Sequence, residues 1–297
     1  MRVIILGCGY LGYNLYELLK QRFETELWGI ESPYSPLVPE MINVNAFDPG
    51  AMAEQNLKDA VVIDAIGLIA NNASAENEEE ALNRLYIPYS RLITSLKLGG
   101  VSRFVFFSSG GTIYGNTDLP ISEDHPIAPM SLYARSKAGI EDLIRKSDLP
   151  YLILRLSNPY GGYQIAEKKQ GVIPILIRRA LRNEPFEMYV SGDSVRDYFY
   201  ISDLGQAVTG LLECGAVNDT VNVGSGQGTS LHEIIRLVQE ATGETVSIIQ
   251  KASEMPVVQS IVLNIDKLKR LTGYEPAVSL REGIAEETLR IKKETEI

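Results

Sequence analysis

The chain has 297 residues, 45% of them apolar, with a formal charge of -10 and an isoelectric point near 4.9. That length accommodates one large α/β domain with a smaller one appended. That charge excludes nucleic acid and anionic membranes as partners, because both require a positive field, so any phosphate must be held by local groups. The two cysteines, Cys8 and Cys214, lie far apart without C-x-x-C or Cys/His metal spacing. No metal centre is expected, and a reducing cytosol is the natural compartment. Residues 1–6 run straight into a glycine turn without the order of a signal peptide. The longest near-apolar run, 60–70, contains Asp64 and is too short to span a bilayer. A soluble, cytoplasmic protein is expected.

Apolar runs without polar alternation occur at 3–6, 26–30, 60–66, 104–107 and 151–156, the pattern of parallel strands covered on both faces. Between them, 10–21 and 131–146 carry apolar residues at helical spacing. The alternation predicts a doubly wound, Rossmann-type parallel sheet. The acidic stretch 76–80 reads as a solvated helix start. After Tyr160 the rhythm breaks into shorter elements. The expected division is a sheet domain over 1–160, to which later segments return, and a smaller domain mainly over 161–297.

The first motif in chain order is Gly7-Cys8-Gly9-Tyr10-Leu11-Gly12, which leaves a strand and opens a helix. In that setting G-x-G-x-x-G binds a dinucleotide: Gly7 makes the turn, Gly9 admits the pyrophosphate and Gly12 lets helix and strand pack closely. Glu31, about 20 residues on, stands where an acid binds the adenosine ribose. Its charge repels a 2′-phosphate, so NAD is expected rather than NADP. Asp48 reads either as a contact to the adenine edge or as a helix N-cap.

Farther along, the strand Phe104-Val105-Phe106-Phe107 ends in Ser108-Ser109-Gly110-Gly111-Thr112-Ile113-Tyr114-Gly115, and α/β sheets place ligands at such ends. Tyr133 and Lys137 follow, four residues apart on one helical face. A phenol near pKa 10 becomes a useful base beside an ammonium and an oxidised nicotinamide. With the glycine turn, these motifs occur in the order found in NAD-dependent sugar epimerases and dehydratases of the extended short-chain dehydrogenase family. The chain resembles that family through Leu154-Arg155-Leu156-Ser157-Asn158-Pro159-Tyr160-Gly161, Arg196-Asp197-Tyr198-Phe199-Tyr200-Ile201-Ser202-Asp203 and Asn222-Val223-Gly224-Ser225-Gly226.

The resemblance implies that Tyr133 is the base and that Lys137 orients it and holds the nicotinamide ribose. A strand-end hydroxyl should bind the reacting oxygen, but the usual position is Gly110 here. Ser109 or Thr112 takes the role, with Ser108 a third option of more structural character. Asn158 and Arg196 are implied on the nucleotide diphosphate, and Val172 as a backbone contact. Arg196 would otherwise be read as pairing with Asp193 or Asp197. Aligning 261–264 with a family strand puts Glu254 and Val257 where relatives carry arginine and aspartate, reversing one cationic clamp. Lys251, Arg178 or Arg179 are possible replacements.

The implied activity is 4-epimerisation of a UDP-sugar with retained NAD. Gly110-Gly111-Thr112 lacks the paired carboxylates of the dehydratases. A reductase, decarboxylase or dehydratase is the alternative enzyme, and a nucleotide-sensing or scaffold protein the non-catalytic one. A homodimer is expected through helices near 85–98 and 131–146.

Overall fold

A computed structural model describes residues 1–67, 78–116, 120–165, 171–189, 193–251 and 260–295. The first half runs β1 (Arg2–Leu6), α1 (Tyr10–Leu19), β2 (Glu24–Gly29), β3 (Ile42–Asn43), α2 (Pro49–Ala53), β4 (Val61–Asp64), α3 (Glu78–Leu98), β5 (Arg103–Ser109), α4 (Leu132–Arg145) and β6 (Tyr151–Leu156). The second half continues with β7 (Asn158–Tyr160), α5 (Val172–Leu181), β8 (Phe186–Met188), β9 (Val195–Tyr200), α6 (Ile201–Glu213), β10 (Asp219–Val223), β11 (Gly228–Ser230), α7 (Leu231–Thr242), β12 (Ile248–Gln250), β13 (Ser260–Ile261), α8 (Asp266–Thr272) and α9 (Leu280–Thr295).

Seven parallel strands form the main sheet in the order β10-β6-β5-β4-β1-β2-β3. Successive side chains on a strand point to opposite faces. Val3 and Ile5 therefore enter one core while Ile4 and Leu6 enter the other, which is why these strands lack polar alternation. The chain order reverses at β1, whose neighbours are β4 and β2, and the strand ends around such a switch point open a crevice. Helix α4, which borders the crevice, starts where the Ser131 hydroxyl accepts from Ala134 N at 3.1 Å.

β10 returns from the second half of the chain to pair with β6. β9 pairs with β7, β11 and β13 in a separate small sheet, and β8 pairs with β12. The fully buried Asp197 on β9 joins these parts. Its Oδ1 accepts from Ser225 N at 2.9 Å and Ser225 Oγ at 2.6 Å, and its Oδ2 from Gly226 N at 3.2 Å. A Cβ on Gly224 would lie 2.5 Å from that carboxylate. The two C-terminal motifs are thus halves of one structural joint. Asp203 plays a similar part, accepting from Ala277 N and Val278 N.

Candidate active site

The glycine turn closes through backbone contacts that leave no room for side chains at two of its three positions. Gly7 has φ +101°, and a Cβ there would meet Ala65 O at 2.9 Å. A Cβ on Gly12 would sit 1.8 Å from Gly7 O. Gly9 differs: a Cβ would find nothing within 4 Å, because this residue faces open space. It is the N-cap of α1 and supplies no side-chain cap, so the first amides of the helix remain for a ligand. Gly9, Tyr10 and Leu11 line a cavity of about 660 Å³ over the crevice. Glu31 is exposed, two residues beyond the end of β2. Asp48 is also exposed and is the N-cap of α2, its Oδ1 accepting from Gly50 N at 2.9 Å. The capping reading of Asp48 is thus met through Oδ1.

The same cavity is lined by Ser109, Tyr133 and Lys137, and Tyr133 and Ser109 also line an adjoining cavity of about 530 Å³. Tyr133 thus stands where the two meet. Burial pushes its phenol above the ordinary value, and a hydrogen bond from Ser109 opposes the rise. Thr112 Oγ1 in turn donates to Ser109 Oγ at 3.0 Å. The hydroxyls form a relay, with Ser109 next to the phenol and Thr112 behind it. Gly110 cannot carry a side chain without rearrangement, since a Cβ would meet Leu263 Cδ1 at 2.7 Å and Arg155 O at 3.1 Å. Ser108 is buried, also lines the first cavity, and has no hydrogen-bond partner for its hydroxyl. Lys137 is 8% exposed and donates from Nζ to Phe107 O at 2.8 Å.

Asn158, Val172 and Arg196 line the second cavity. Asn158 Nδ2 donates to Asp197 O at 2.8 Å, which fixes the amide plane. Arg196 donates to Val195 O at 2.9 Å, and burial lowers its guanidinium against the opposing effect of Tyr198. Arg178 pairs with Glu294 at 3.2 Å, Arg179 with Glu184 at 2.7 Å and Lys251 with Glu187 at 3.8 Å. These three cations have carboxylate partners of their own. Glu254 and Val257 lie outside the described residues.

Three features escape a motif reading. Ser157 is 7% exposed, lines both cavities and has no hydrogen-bond partner for its hydroxyl. Asp64, noted only as a break in an apolar run, lies on the floor of the first cavity. Asn14 clamps the backbone of Tyr163, donating to its O at 2.9 Å and accepting from its N at 2.8 Å. A charge ending an apolar strand was the available signal for Asp64; Ser157 and Asn14 carry none without contacts.

Residues 3–224 match the model of the NAD dependent epimerase/dehydratase family. The chain belongs to that family. It is 29% identical over 296 residues to a putative UDP-glucose 4-epimerase of Methanocaldococcus jannaschii, covering 96% of each chain. It is 31% identical over 237 residues to a dTDP-4-dehydro-6-deoxyglucose reductase of Escherichia coli, covering 78% of this chain and 74% of that one. Among solved structures, UDP-glucose 4-epimerase of Thermus thermophilus in complex with NAD matches with a TM-score of 0.87 at 26% identity, covering 98% of this chain and 99% of the other. The enzyme from Thermotoga maritima with UDP-glucose matches with a TM-score of 0.84 at 26% identity, covering 99% and 100%. In this member of the epimerase/dehydratase family, the glycine cradle and the phenol share one cavity and the two cavities share the phenol.

Proposed function

We propose that the chain is an NAD-dependent 4-epimerase of a nucleotide sugar, with a UDP-sugar as substrate. The observation that carries this is the position of Tyr133 at the junction of a cavity that begins at the glycine turn and one that ends at Arg196. The residues present fit the cofactor. Gly9 leaves its backbone open to a pyrophosphate, and Ser157 offers an unpartnered buried hydroxyl, which costs free energy until a ligand answers it. Glu31 would accept from the adenosine ribose and repel a 2′-phosphate. Bound NAD supplies a reversible two-electron acceptor for the C4 carbinol, so the overall reaction has no net redox change.

The protein's part is proton transfer and positioning. Tyr133 as phenolate takes the C4 hydroxyl proton and later returns it to the opposite configuration, acting as base and then acid. Ser109 donates to the reacting oxygens, with its own oxygen held by Thr112. The Lys137 ammonium favours the phenolate and binds the nicotinamide ribose. Asn158, Arg196 and the backbone at Val172 hold the diphosphate, for which the planar guanidinium fork is suited. We assign the cofactor to 1–160 with β10, and the substrate mainly to 161–297.

Purified protein incubated with UDP-, dTDP- and GDP-sugars should invert C4 of at least one, as read by NMR. Tyr133→Phe should lower turnover by roughly 10²–10⁴-fold. No epimerised sugar from any donor, despite bound NAD, would sink the proposal. Stoichiometric oxidation of added NADH would instead favour the reductase reading that the Escherichia coli relative supports. A cytoplasmic homodimer is part of the proposal; Ile87 on α3, 53% exposed, supports an apolar contact there. Light scattering at a monomer mass would remove it. Among the described residues, no helix is long and apolar enough to cross a membrane.

A further inference from the structure

Strand β4 reads Val61-Val62-Ile63-Asp64 and is buried throughout, with Asp64 only 3% exposed. Both carboxylate oxygens are engaged by neutral donors: Oδ1 accepts from Ile66 N at 2.9 Å and Oδ2 from Tyr89 Oη at 2.8 Å. Two neutral donors leave part of the cost of burying a charge uncompensated, and a nearby cation lowers it further. The sheet register supplies one. Asp64 is directly opposite Phe106 in the β4–β5 ladder, so their side chains leave the same face. Lys137 Nζ stands over the ring of that same Phe106, 4.7 Å from its centroid. The ammonium and the carboxylate thus lie against the same ring, where their charges act on each other.

We propose that Asp64 is a positioning residue for the reaction: it keeps Lys137 charged and aimed into the cofactor cavity, and so sets the alkaline limit of the range in which Tyr133 works. The inference rests on the epimerase reading above. Burial lowers the Lys137 ammonium, and Asp64 followed by Glu141 opposes it. Burial raises the Asp64 carboxyl, opposed first by Lys137 and then by the Ile66 amide and the Tyr89 hydroxyl. The other titratable groups around the pair are Glu141 on α4 and Tyr89 on α3, with Tyr133 on α4 acting on Tyr89 and lining the same cavity. Glu141 has arginine partners of its own, Arg155 and Arg145, each at 2.8 Å. Asp64 is therefore the carboxylate whose charge answers the lysine.

The sign follows directly. Without the Asp64 charge, burial acts on Lys137 unopposed by its first partner, and the ammonium loses its proton at lower pH. Tyr133 then loses the cation that favours its phenolate. In the NAD-loaded enzyme, Asp64→Asn should move the alkaline limb of the kcat profile down by about one pH unit or more. The unfolding midpoint is recorded alongside. A purely structural role would lower that midpoint and leave the limb in place, and this result overturns the proposal.

A second measurement needs neither turnover nor that variant. In Lys137→Met, Asp64 loses its cation and should bind a proton at pH 7, giving a protonated-carboxyl stretch in the infrared difference spectrum against wild type. Absence of that band overturns the proposal whether or not Asp64→Asn folds. Failure of wild type to epimerise any sugar counts against the epimerase reading alone, and the infrared result still decides the role of Asp64.

Discussion

Thr112 donates to Ser109, and Ser109 holds the Tyr133 phenol down against burial, an arrangement in which the two hydroxyls would act in series rather than in competition. Removing the one nearest the reacting oxygen should cost most. Ser109→Ala is expected to lower kcat by roughly 10²–10³-fold, the range for loss of one aimed donor. Thr112→Val works only through Ser109 and should cost about tenfold or less. Because the effects share one path, the double variant should be no slower than Ser109→Ala alone. Steady-state rates of the three variants check this, and additive losses would refute the series arrangement. At this scale the sequence named both hydroxyls and left the choice open. It could not decide, because the distinction lies in which oxygen reaches the phenol, and that is set by the bend of the chain after β5.

Elements meet at two positions whose residue type the structure explains. Gly110 lies under Leu263, the residue that follows β13 by two positions. Restoring the usual hydroxyl with Gly110→Ser should therefore fail. Overpacking against Leu263 and the Arg155 carbonyl is expected to cost about 1–3 kcal/mol, measured by urea unfolding. Leu263→Ala, destabilising by itself, should cost less in the Gly110→Ser background than alone, because it vacates the contested space. The second position is the buried pair of Glu141 on α4 and Arg155 on β6, 2.8 Å apart. Burial alone would raise the Glu141 carboxyl, but the hydrogen bonds and charge of Arg155 bring it below its ordinary value. A depressed carboxylate contributes stability above its unfolded value of 4.5, and that stability is lost as pH falls through the folded value. Glu141→Gln should cost about 3–5 kcal/mol at pH 7. Its deficit against wild type should shrink on acidification below pH 4.5, and a deficit unchanged at pH 3 would contradict the assignment. Strands β1, β2, β4, β5 and β6 and both helices flanking the site, α1 and α4, were legible from apolar runs and helical spacing. The α4–β6 ion pair was not, since its partners are 14 residues apart with no periodic relation.

Across the whole molecule, the site is assembled from the ends of β1, β4, β5 and β6, from α4, and from β7 and β9 of the small sheet. A ligand filling both cavities should therefore stabilise the molecule as a unit. NAD at a hundred times its dissociation constant should raise the unfolding free energy by about 2.7 kcal/mol. NADP should stabilise less, and Glu31→Ser should narrow the difference; thermal melts with each cofactor test it, and preferential stabilisation by NADP would refute the role of Glu31. The sequence by itself determined the sheet class, the glycine turn, the Tyr133 and Lys137 pair and the family, because each is written in local spacing or in ordered motifs. Only the tertiary structure decided that Thr112 donates to Ser109, that a side chain at Gly110 would meet Leu263, and that Asp64 and Lys137 lie against one ring. These depend on strand register and on contacts between residues far apart in the chain. Periodicity carries no information about them, because it records which face a side chain occupies and not what it meets there.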